Sequence, residues 1–424
     1  MRSYRIKDVA RINTRTLPES TDPGFTFRYI DIGSVDGLGK ISIPNEEISF
    51  AASPSRARRL APPRSVIVST VRTYLRAVAP VPATQVPLVF STGFAVLEAT
   101  NQLDSRFLAY HCQSEPFIDD VVARSVGVSY PAINASEIGN LPVRVPSLEE
   151  QRRIADFLDA ETARIDKLVR TQGQVLASLA ERKAASVVQQ VIGGHRPHRR
   201  PSLLPWTDTL PTEWPEVRLG LVAQMGSGHT PSRSRPEWWS DCTIPWITTG
   251  EVSQVRDDRR EVIYETREKI SELGMANSSA TVHPAGTVVL CRTASAGYSA
   301  IMGTDMATSQ DFVTWTCGPR LDPYYLLWCL RAMRQDLLGR LAMGSTHKTI
   351  YVPDLQMLRI PLPPLEEQRI IVQRIREQNA LNDKLADSVK RQLQLLTERR
   401  QALVTAAVTG QIDVSTTMGR AAGS

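Results

Sequence analysis

Arginine clusters are the groups in this sequence whose types and spacing could support specific recognition chemistry. A guanidinium can pair with a phosphate or donate two parallel hydrogen bonds to the edge of a guanine. The arginines of the first half lie among prolines and around Tyr74, where Arg72 and Arg76 are expected on a strand. Those of the second half lie near Trp238, Trp239 and Trp246. The candidate DNA-contacting residues are Arg56, Arg58, Arg59, Arg64, Arg72, Arg76, Arg233, Arg235, Arg256, Arg259, Arg260 and Lys348.

The same clusters also have a purely structural interpretation. Charged clusters commonly form a solvated surface, and tryptophans belong to a core more often than to a base-stacking platform. The formal net charge of +6 permits a polyanionic partner without requiring one. Recurrence of the clusters in both halves of the chain favours DNA.

Catalytic motifs are missing from the sequence. No GxxxxGK[ST] motif occurs, and the Gly-rich stretch 226–230 lacks the lysine of a phosphate-binding loop. We find no dinucleotide or S-adenosylmethionine fingerprint and no amino-methyltransferase tetrapeptide. His195 and His198 have no third ligand nearby, so no metal is expected. A binding protein is therefore favoured over an enzyme.

Cysteine usage and hydropathy indicate the compartment. The five cysteines are odd in number, and no two have CxxC spacing, which argues against a disulfide framework and a zinc site. Residues 1–8 have no apolar h-region, so no signal peptide is expected, and no apolar run is long enough to span a membrane. A cytoplasmic protein is expected.

The elements that position the arginines are duplicated. Residues 146–152 read Pro-Ser-Leu-Glu-Glu-Gln-Arg, and residues 363–369 read Pro-Pro-Leu-Glu-Glu-Gln-Arg, at an offset of 365 − 148 = 217. The offset is 218 between Ser91 and Ser309 and 222 between Val66 and Val288. A colinear series of matches with a varying offset is typical of loop insertions within one repeated fold.

Each copy has two parts. The first is rich in short β-type runs, such as 65–71 and 287–290, and contains helical segments at 106–123 and 324–341. The second, at 149–192 and 366–408, has no proline and opens with two glutamates, which predicts a long helix. A helix of 44 residues is about 66 Å long at 1.5 Å per residue.

Helices of that length need a long partner to cover their apolar stripes. A heptad frame predicts a shared seam formed by Ile154, Leu158, Ile165, Leu168, Val175 and Leu179, and by Ile371, Ile375, Leu385, Val389, Leu396 and Leu403. We therefore expect an α+β fold with two mixed α/β domains, two long antiparallel helices forming a coiled coil, and a pseudo-twofold internal repeat. The predicted segments are a first domain 1–146, a helix 147–194, a Pro-rich basic linker 195–213, a second domain 214–363, a helix 364–410 and a flexible tail 411–424.

The chain resembles the specificity subunit of type I restriction–modification systems. The resemblance rests on the twice-repeated Leu-Glu-Glu-Gln-Arg helix start, the Gly-Ser-Thr-His-Lys-Thr-Ile stretch at 344–350, and Glu-Arg-Arg-Gln-Ala-Leu at 398–403. Residues 205–206 and 210–214 are similar to the start of a target recognition domain. Residues 127–132 are a looser version of the stretch at 344–350.

The resemblance implies two target recognition domains, each recognising one part of a bipartite DNA sequence. It implies that the helices space the two parts and dock two methyltransferase subunits, which bind S-adenosylmethionine, and that a restriction and translocase subunit joins them. The chain itself would be non-catalytic. Two alternatives remain open, namely a stand-alone DNA methyltransferase or nuclease, and a coiled-coil scaffold that does not bind DNA.

Overall fold

Two long helices dominate the secondary structure of the computed structural model, which describes residues 2–344 and 348–414. They span Leu148–Val191 and Leu365–Thr409, in close agreement with the sequence prediction. Both have glutamates in the first turn, and both are followed by a glycine with positive φ, Gly193 and Gly410. The predicted start and stop signals therefore operate as expected.

The chain divides into two units, and each long helix contributes to both. The first unit comprises 1–173 and 390–424, and the second comprises 174–389. Residues 415–424, most of the predicted tail, and residues 345–347 of the repeated loop motif lie outside the described residues.

The first unit contains two four-stranded sheets. One is antiparallel, with the order Ala10–Ile12, Phe94–Ala99, Val66–Ser69, Val78–Pro80. The other has the order Ile48–Ser49, Thr26–Ile30, Leu88–Ser91, Ala57–Leu60, and its central pair is parallel. A further ladder joins Arg2–Arg5 to Pro142–Val145. The short helices are Ile6–Val9, Ser105–Gln113, Glu115–Ala123 and Ala135–Gly139, with 3₁₀ turns at Ile32–Ser34, Phe50–Ala52 and Thr73–Leu75.

The second unit repeats this plan. A five-stranded sheet has the order Ala223–Ser227, Phe312–Cys317, Val288–Cys291, Ser299–Met302, Val262–Ile263. A three-stranded sheet has the order Glu268–Ile270, Ile244–Ile247, Ala307–Thr308. Two ladders join Glu216–Arg218 to Arg359–Pro361 and Arg199–Pro201 to Thr209–Pro211. The helical elements are Leu219–Leu221, Pro236–Trp239, Thr249–Gln254, Glu272–Ala276, Pro323–Ala332, Arg334–Asp336, Leu337–Leu341 and Val352–Gln356.

Strand register confirms the repeat. Tyr29 pairs with Val89 across the parallel strands of the first unit, and Trp246 pairs with Ala307 across those of the second. The residue numbers differ by 246 − 29 = 217 and 307 − 89 = 218, which are offsets of the repeat found in the sequence. The predicted α+β class and internal repeat are confirmed.

The long helices are antiparallel within each unit. In the second unit Lys183 Nζ lies 2.8 Å from Asp383 Oδ1, and Asn382 Nδ2 donates to Leu179 O at 2.9 Å. In the first unit Arg400 Nε donates to Asp166 Oδ1 at 3.0 Å. The start of one helix and the end of the other also enter the core of the first unit, where Leu158 and Val404 belong to one apolar cluster.

The predicted heptad seam holds at the helix starts, and four of its later members, Leu179, Val389, Leu396 and Leu403, are half-buried. Ile154, Leu158 and Ile165 are buried, as are Ile371 and Ile375. The seam prediction was wrong for three residues, which are exposed: Leu168, Val175 and Leu385. In the second helix the covered positions 379, 382, 386, 389, 393, 396 and 400 keep heptad spacing, and Leu385 lies one residue away from this pattern.

Two sequence predictions were too simple about local structure. The helix expected at 106–123 is two helices that meet at Ser114. The segment 195–213, expected as a solvated connector, contains the ladder of Arg199–Pro201 with Thr209–Pro211. Arg199 donates to Gly193 O and Thr209 O, both at 2.6 Å, and so satisfies a carbonyl at the end of the first long helix.

Candidate nucleic-acid interface

A strained turn presents two of the predicted arginines. Arg72 (φ 51, ψ 48) and Arg76 (φ 56, ψ 32) are both left-handed and flank the 3₁₀ turn Thr73–Leu75. Their prediction on a strand was therefore wrong, because a strand requires extended backbone. The Arg76 guanidinium pairs with Glu115, whereas that of Arg72 lies over the Tyr130 ring at 5.1 Å.

The other predicted arginines of the first unit differ in their surroundings. Arg56 and Arg64 are exposed, and Arg64 is left-handed with φ 71. Arg58 lies over the Phe50 ring at 4.5 Å. Arg59 is half-buried on the strand Ala57–Leu60, and burial lowers its pKa. The arginines that are clustered in the sequence therefore have different environments in the structure.

A cavity of about 500 Å³ brings two of these arginines together. Arg56 and Arg72 line it, with Tyr29, Asp31 and Tyr130 also in its wall. Asp31 Oδ1 accepts from Ser34 N and Oγ at 3.0 and 2.8 Å. Within residues 2–344 and 348–414, neither arginine forms an ion pair with a carboxylate.

The first two predicted arginines of the second unit interact with its own acidic and aromatic side chains. Arg233 pairs with Glu268 and lies 3.7 Å from the Trp239 ring centroid and 5.4 Å from that of Trp246. Arg235 lies 3.8 Å from Glu237. Of these residues, Trp246 lies at the strand position that corresponds to Tyr29 in the first unit.

Arg256, Arg259, Arg260 and Lys348 complete the predicted set. Arg256 lies over Tyr298 at 5.7 Å. Arg259 donates to both carboxylate oxygens of Asp387 on the second long helix, at 2.6 and 2.9 Å. Arg260 donates to Gln254 at 2.6 Å, and Lys348 is exposed. Arg259 thus links its own unit's loop to a helix.

A projecting loop, residues 126–132, lies beside the strained turn 72–76 of the first unit. Val126 and Ala132 exchange backbone hydrogen bonds at 2.8 and 2.9 Å, and Ile133 N donates to Thr70 O at 2.8 Å. In the second unit Met343 and Thr349 exchange such bonds at 2.9 Å, and Ile350 N donates to Arg292 O at 2.8 Å. The two repeated loop motifs therefore have the same base.

A buried glutamine in each unit explains the repeated Leu-Glu-Glu-Gln-Arg motif. Gln151 Oε1 accepts from Asp104 N at 2.7 Å, and its Nε2 donates to Gln102 O and Pro146 O at 3.1 and 3.0 Å. Asp104 in turn caps the helix Ser105–Gln113. The side chain ties the start of the long helix to the globular part.

Gln368 repeats the arrangement in the second unit. Its Oε1 accepts from Asp322 N at 2.8 Å, and its Nε2 donates to Arg320 O and Pro363 O at 2.9 Å. Asp322 caps Pro323–Ala332. The site prediction missed both glutamines, although the duplicated motif pointed to them.

The second unit also has a partly buried charged network. The Arg331 side chain is 2% exposed, and its Nε lies 3.3 Å from Asp258 Oδ1. Arg334 donates to both oxygens of Asp258 at 2.6 and 2.8 Å. Arg376 donates to both oxygens of Glu261, the nearest contact being 2.6 Å, and Trp328 Nε1 donates to Glu261 Oε1 at 3.0 Å. The loop 258–261 is thereby held to both neighbouring helices.

Metal-ligand clusters and membrane-spanning helices are absent from the described residues. Among the described residues, no group of three or more His, Cys, Asp or Glu side chains could hold a metal ion. No helix within 2–344 and 348–414 combines the length and apolar character that a membrane crossing requires.

The fold defines a duplicated α+β protein in which each globular part is tied to a long helix. A family model described as type I restriction modification DNA specificity domain matches the chain twice, at residues 1–176 and 211–391. These matches cover most of the sequence, and the chain belongs to the family of type I restriction modification DNA specificity domains.

Individual relatives agree with this assignment. The chain is 28% identical over 191 residues to the type I restriction enzyme MjaIX specificity subunit of Methanocaldococcus jannaschii, covering 44% of this chain and 42% of that protein. It is 22% identical over 338 residues to the putative MjaX specificity subunit of the same organism, covering 74% and 70%.

Two solved structures share the fold. A chain from a study of complex assembly and conformational transition of the type I R-M system is 26% identical, with a TM-score of 0.72 and coverage of 96% and 97%. The HsdS subunit of Thermoanaerobacter tengcongensis is 26% identical, with a TM-score of 0.50 and coverage of 97% of each chain.

Proposed function

We propose that this chain is the sequence-specific DNA-binding subunit of a type I restriction–modification complex. Each globular part recognises one part of a bipartite target, and the long helices set the spacer between the parts. The chain is non-catalytic. Two methyltransferase subunits carrying S-adenosylmethionine dock on the helices, and restriction and translocase subunits join them.

The observation that carries this proposal is the duplicated attachment at Gln151 and Gln368. The same three hydrogen bonds join a globular part to the start of a long helix in each unit. A repeated attachment with divergent arginine surroundings is what a protein needs to present two different recognition surfaces on one frame. Arginine side chains, which can donate two parallel hydrogen bonds, and an exposed loop are suitable for contacts to base edges.

A genome-wide map of adenine methylation in the host, with and without this gene, tests the proposal directly. A bipartite motif that disappears on deletion and returns with the complementing gene is expected. Methyl transfer by the purified chain alone would contradict the non-catalytic role and favour a stand-alone methyltransferase. A map unchanged by deletion, in a host whose other subunits are expressed, would contradict the DNA-recognition role.

A matched insertion tests the spacer. Seven residues added to each long helix, after 173 and after 389, lengthen each by about 10 Å at 1.5 Å per residue. At about 3.4 Å per base pair the spacer is expected to grow by about three base pairs, with both recognised parts unchanged. Exchange of 1–146 for the corresponding part of a relative is the control, and should change one recognised part and leave the spacer alone.

A further inference from the structure

One backbone turn is common to both units, although its side chain differs. Thr70 N donates to Gly93 O at 2.8 Å, and Arg292 N donates to Asp311 O at 2.7 Å, so Thr70 and Arg292 are equivalent. Arg72 and Ala294, each two residues further along the chain, are therefore equivalent positions in the two units. Both are left-handed, with φ 51 and φ 55. The fold therefore fixes this backbone position and leaves its side chain free to vary.

The turn is strained and firmly held. A left-handed conformation at a residue other than glycine costs about 1 kcal/mol or more and persists where surrounding contacts impose it. Arg72 N donates to Pro131 O at 2.8 Å, and Thr73 Oγ1 lies 2.8 Å from Ser125 Oγ. These contacts lock the turn to the base of the projecting loop, so the Arg72 side chain leaves from a defined point.

Stacking orients the Arg72 guanidinium. It lies 5.1 Å from the Tyr130 centroid, and Tyr130 is itself on the projecting loop. A stacked guanidinium keeps its N–H edges available in the plane of the group. No carboxylate of the described residues forms an ion pair with Arg72 or Arg56, and Asp31, which also lines this cavity, accepts hydrogen bonds from Ser34 instead.

The same loop carries apolar side chains that are exposed to solvent. Val128 is fully exposed, Val126 is 80% exposed and Tyr130 is 66% exposed. Clustered apolar side chains on an exposed loop mark an interaction surface in soluble proteins. Beside two unpaired arginines, they fit a partner with both anionic and apolar edges, as the major groove of DNA has in its phosphates and thymine methyl groups.

We propose that Arg72 is a specificity-determining residue for the part of the target recognised by the first unit. Its guanidinium, stacked on Tyr130, donates two hydrogen bonds to O6 and N7 of a guanine in the major groove. Arg56, which lines the same cavity, adds a second guanidinium beside this contact. This inference rests on the proposed DNA-recognition function and assigns the base class at one position.

A phosphate contact would not require the guanidinium to be held in one orientation, as this turn holds it. A phosphate accepts any mobile cation, and the exposed Arg64 of the same unit is also left-handed but does not line the cavity. A guanine edge requires a planar fork held in one direction. The pinned turn, the aromatic stack and the cavity together meet that requirement.

The test is a methylation map of the host carrying Arg72→Ala, Arg72→Lys or Arg64→Ala in the complete chain. The turn accommodates alanine in the second unit, at Ala294, so Arg72→Ala should fold. Both Arg72 variants are expected to relax one guanine position of the target. Discrimination should fall by about 5- to 150-fold, the range for one bidentate arginine–guanine pair. Arg64→Ala should leave every base preference unchanged.

Two results would overturn the assignment. If Arg72→Ala lowers methylation uniformly while Arg72→Lys retains it, the residue contacts phosphate. If neither variant changes a base preference, Arg72 does not contribute to sequence recognition. In both cases the wild-type bipartite motif would still depend on this gene, so the proposed function would survive. Absence of any gene-dependent motif would instead remove the proposed function.

Discussion

The two units have the same frame but use their arginines differently. In the first unit Arg56 and Arg72 line an open cavity and have no carboxylate partner within the described residues. In the second unit Arg233 pairs with Glu268 and stacks on Trp239, while Arg259 pairs with Asp387. Similar arginine clusters therefore include two arginines without a carboxylate partner in one copy and provide mainly internal contacts in the other.

The largest effect should come from breaking the supporting network of the second unit. Asp258→Ala removes the carboxylate facing Arg331 and Arg334 and leaves a buried guanidinium uncompensated, which should destabilise that unit by about 3 kcal/mol. All seven tryptophans lie between residues 206 and 328, so tryptophan fluorescence during urea unfolding reports on this unit alone.

The matched control is Asp156→Ala in the first unit, and urea unfolding of both variants is also followed by far-UV circular dichroism, because no tryptophan lies in the first unit. Its ion pair with Arg106 is about half exposed, so its loss should cost less than about 1 kcal/mol. Equal losses for Asp258→Ala and Asp156→Ala would mean that the charged groups of the two units do equivalent work, and the comparison would fail.

The shared frame predicts equal effects in the two units. Gln151→Ala and Gln368→Ala each leave a buried N–H and two carbonyls without their partner, at a cost of about 2–3 kcal/mol. Far-UV circular dichroism can follow both variants, and tryptophan fluorescence should respond only to Gln368→Ala. Gln373→Ala is the control, because its exposed bond to Glu377 lies within one helix. A large loss at one glutamine alone would show that the attachment is not duplicated energetically.

The sequence carried the frame more reliably than the site. Helix bounds followed from the glutamates, prolines and glycines at their ends, which act locally. The arginines could not be sorted, because Arg72 and Arg259 differ only in what the fold places beside them, Tyr130 in one case and Asp387 in the other. The strained turn was also invisible, since left-handed arginines carry no sequence signal. The repeated glutamine was visible, and its chemical role became clear only from its three partners.

Acid should weaken the first unit through His111. Its ring packs beside Phe117 with Nε2 buried, and desolvation lowers the pKa of His111 to about 4. The unfolded chain gains a proton below about pH 6.5, whereas the folded unit resists it until about pH 4, so stability falls as pH decreases through this window. The contribution of His111 between pH 7.5 and pH 5 is about 2 kcal/mol.

His111→Leu should remove that share of the pH dependence, whatever its absolute stability. Urea midpoints followed by circular dichroism at pH 7.5 and pH 5 measure it. His198→Leu, at an exposed imidazole of the second unit, is the control and should retain the wild-type difference. A wild-type difference in His111→Leu would refute the buried neutral imidazole as its source.

The smallest loss of stability is expected at Arg259. This residue also gives the strictest test of whether the arginines of the second unit serve as internal support. The guanidinium is about one-third exposed and pairs with Asp387, so Arg259→Ala should cost less than about 1 kcal/mol by urea unfolding. Because the two side chains pair with each other, the double variant with Asp387→Ala should lose less stability than the sum of the two single losses. The methylation motif should stay unchanged in all three. If Asp387→Ala strengthens DNA binding and Arg259→Ala relaxes a base in the second recognised part, Arg259 is a recognition group held in reserve, and the two units are more alike than their ion pairs indicate.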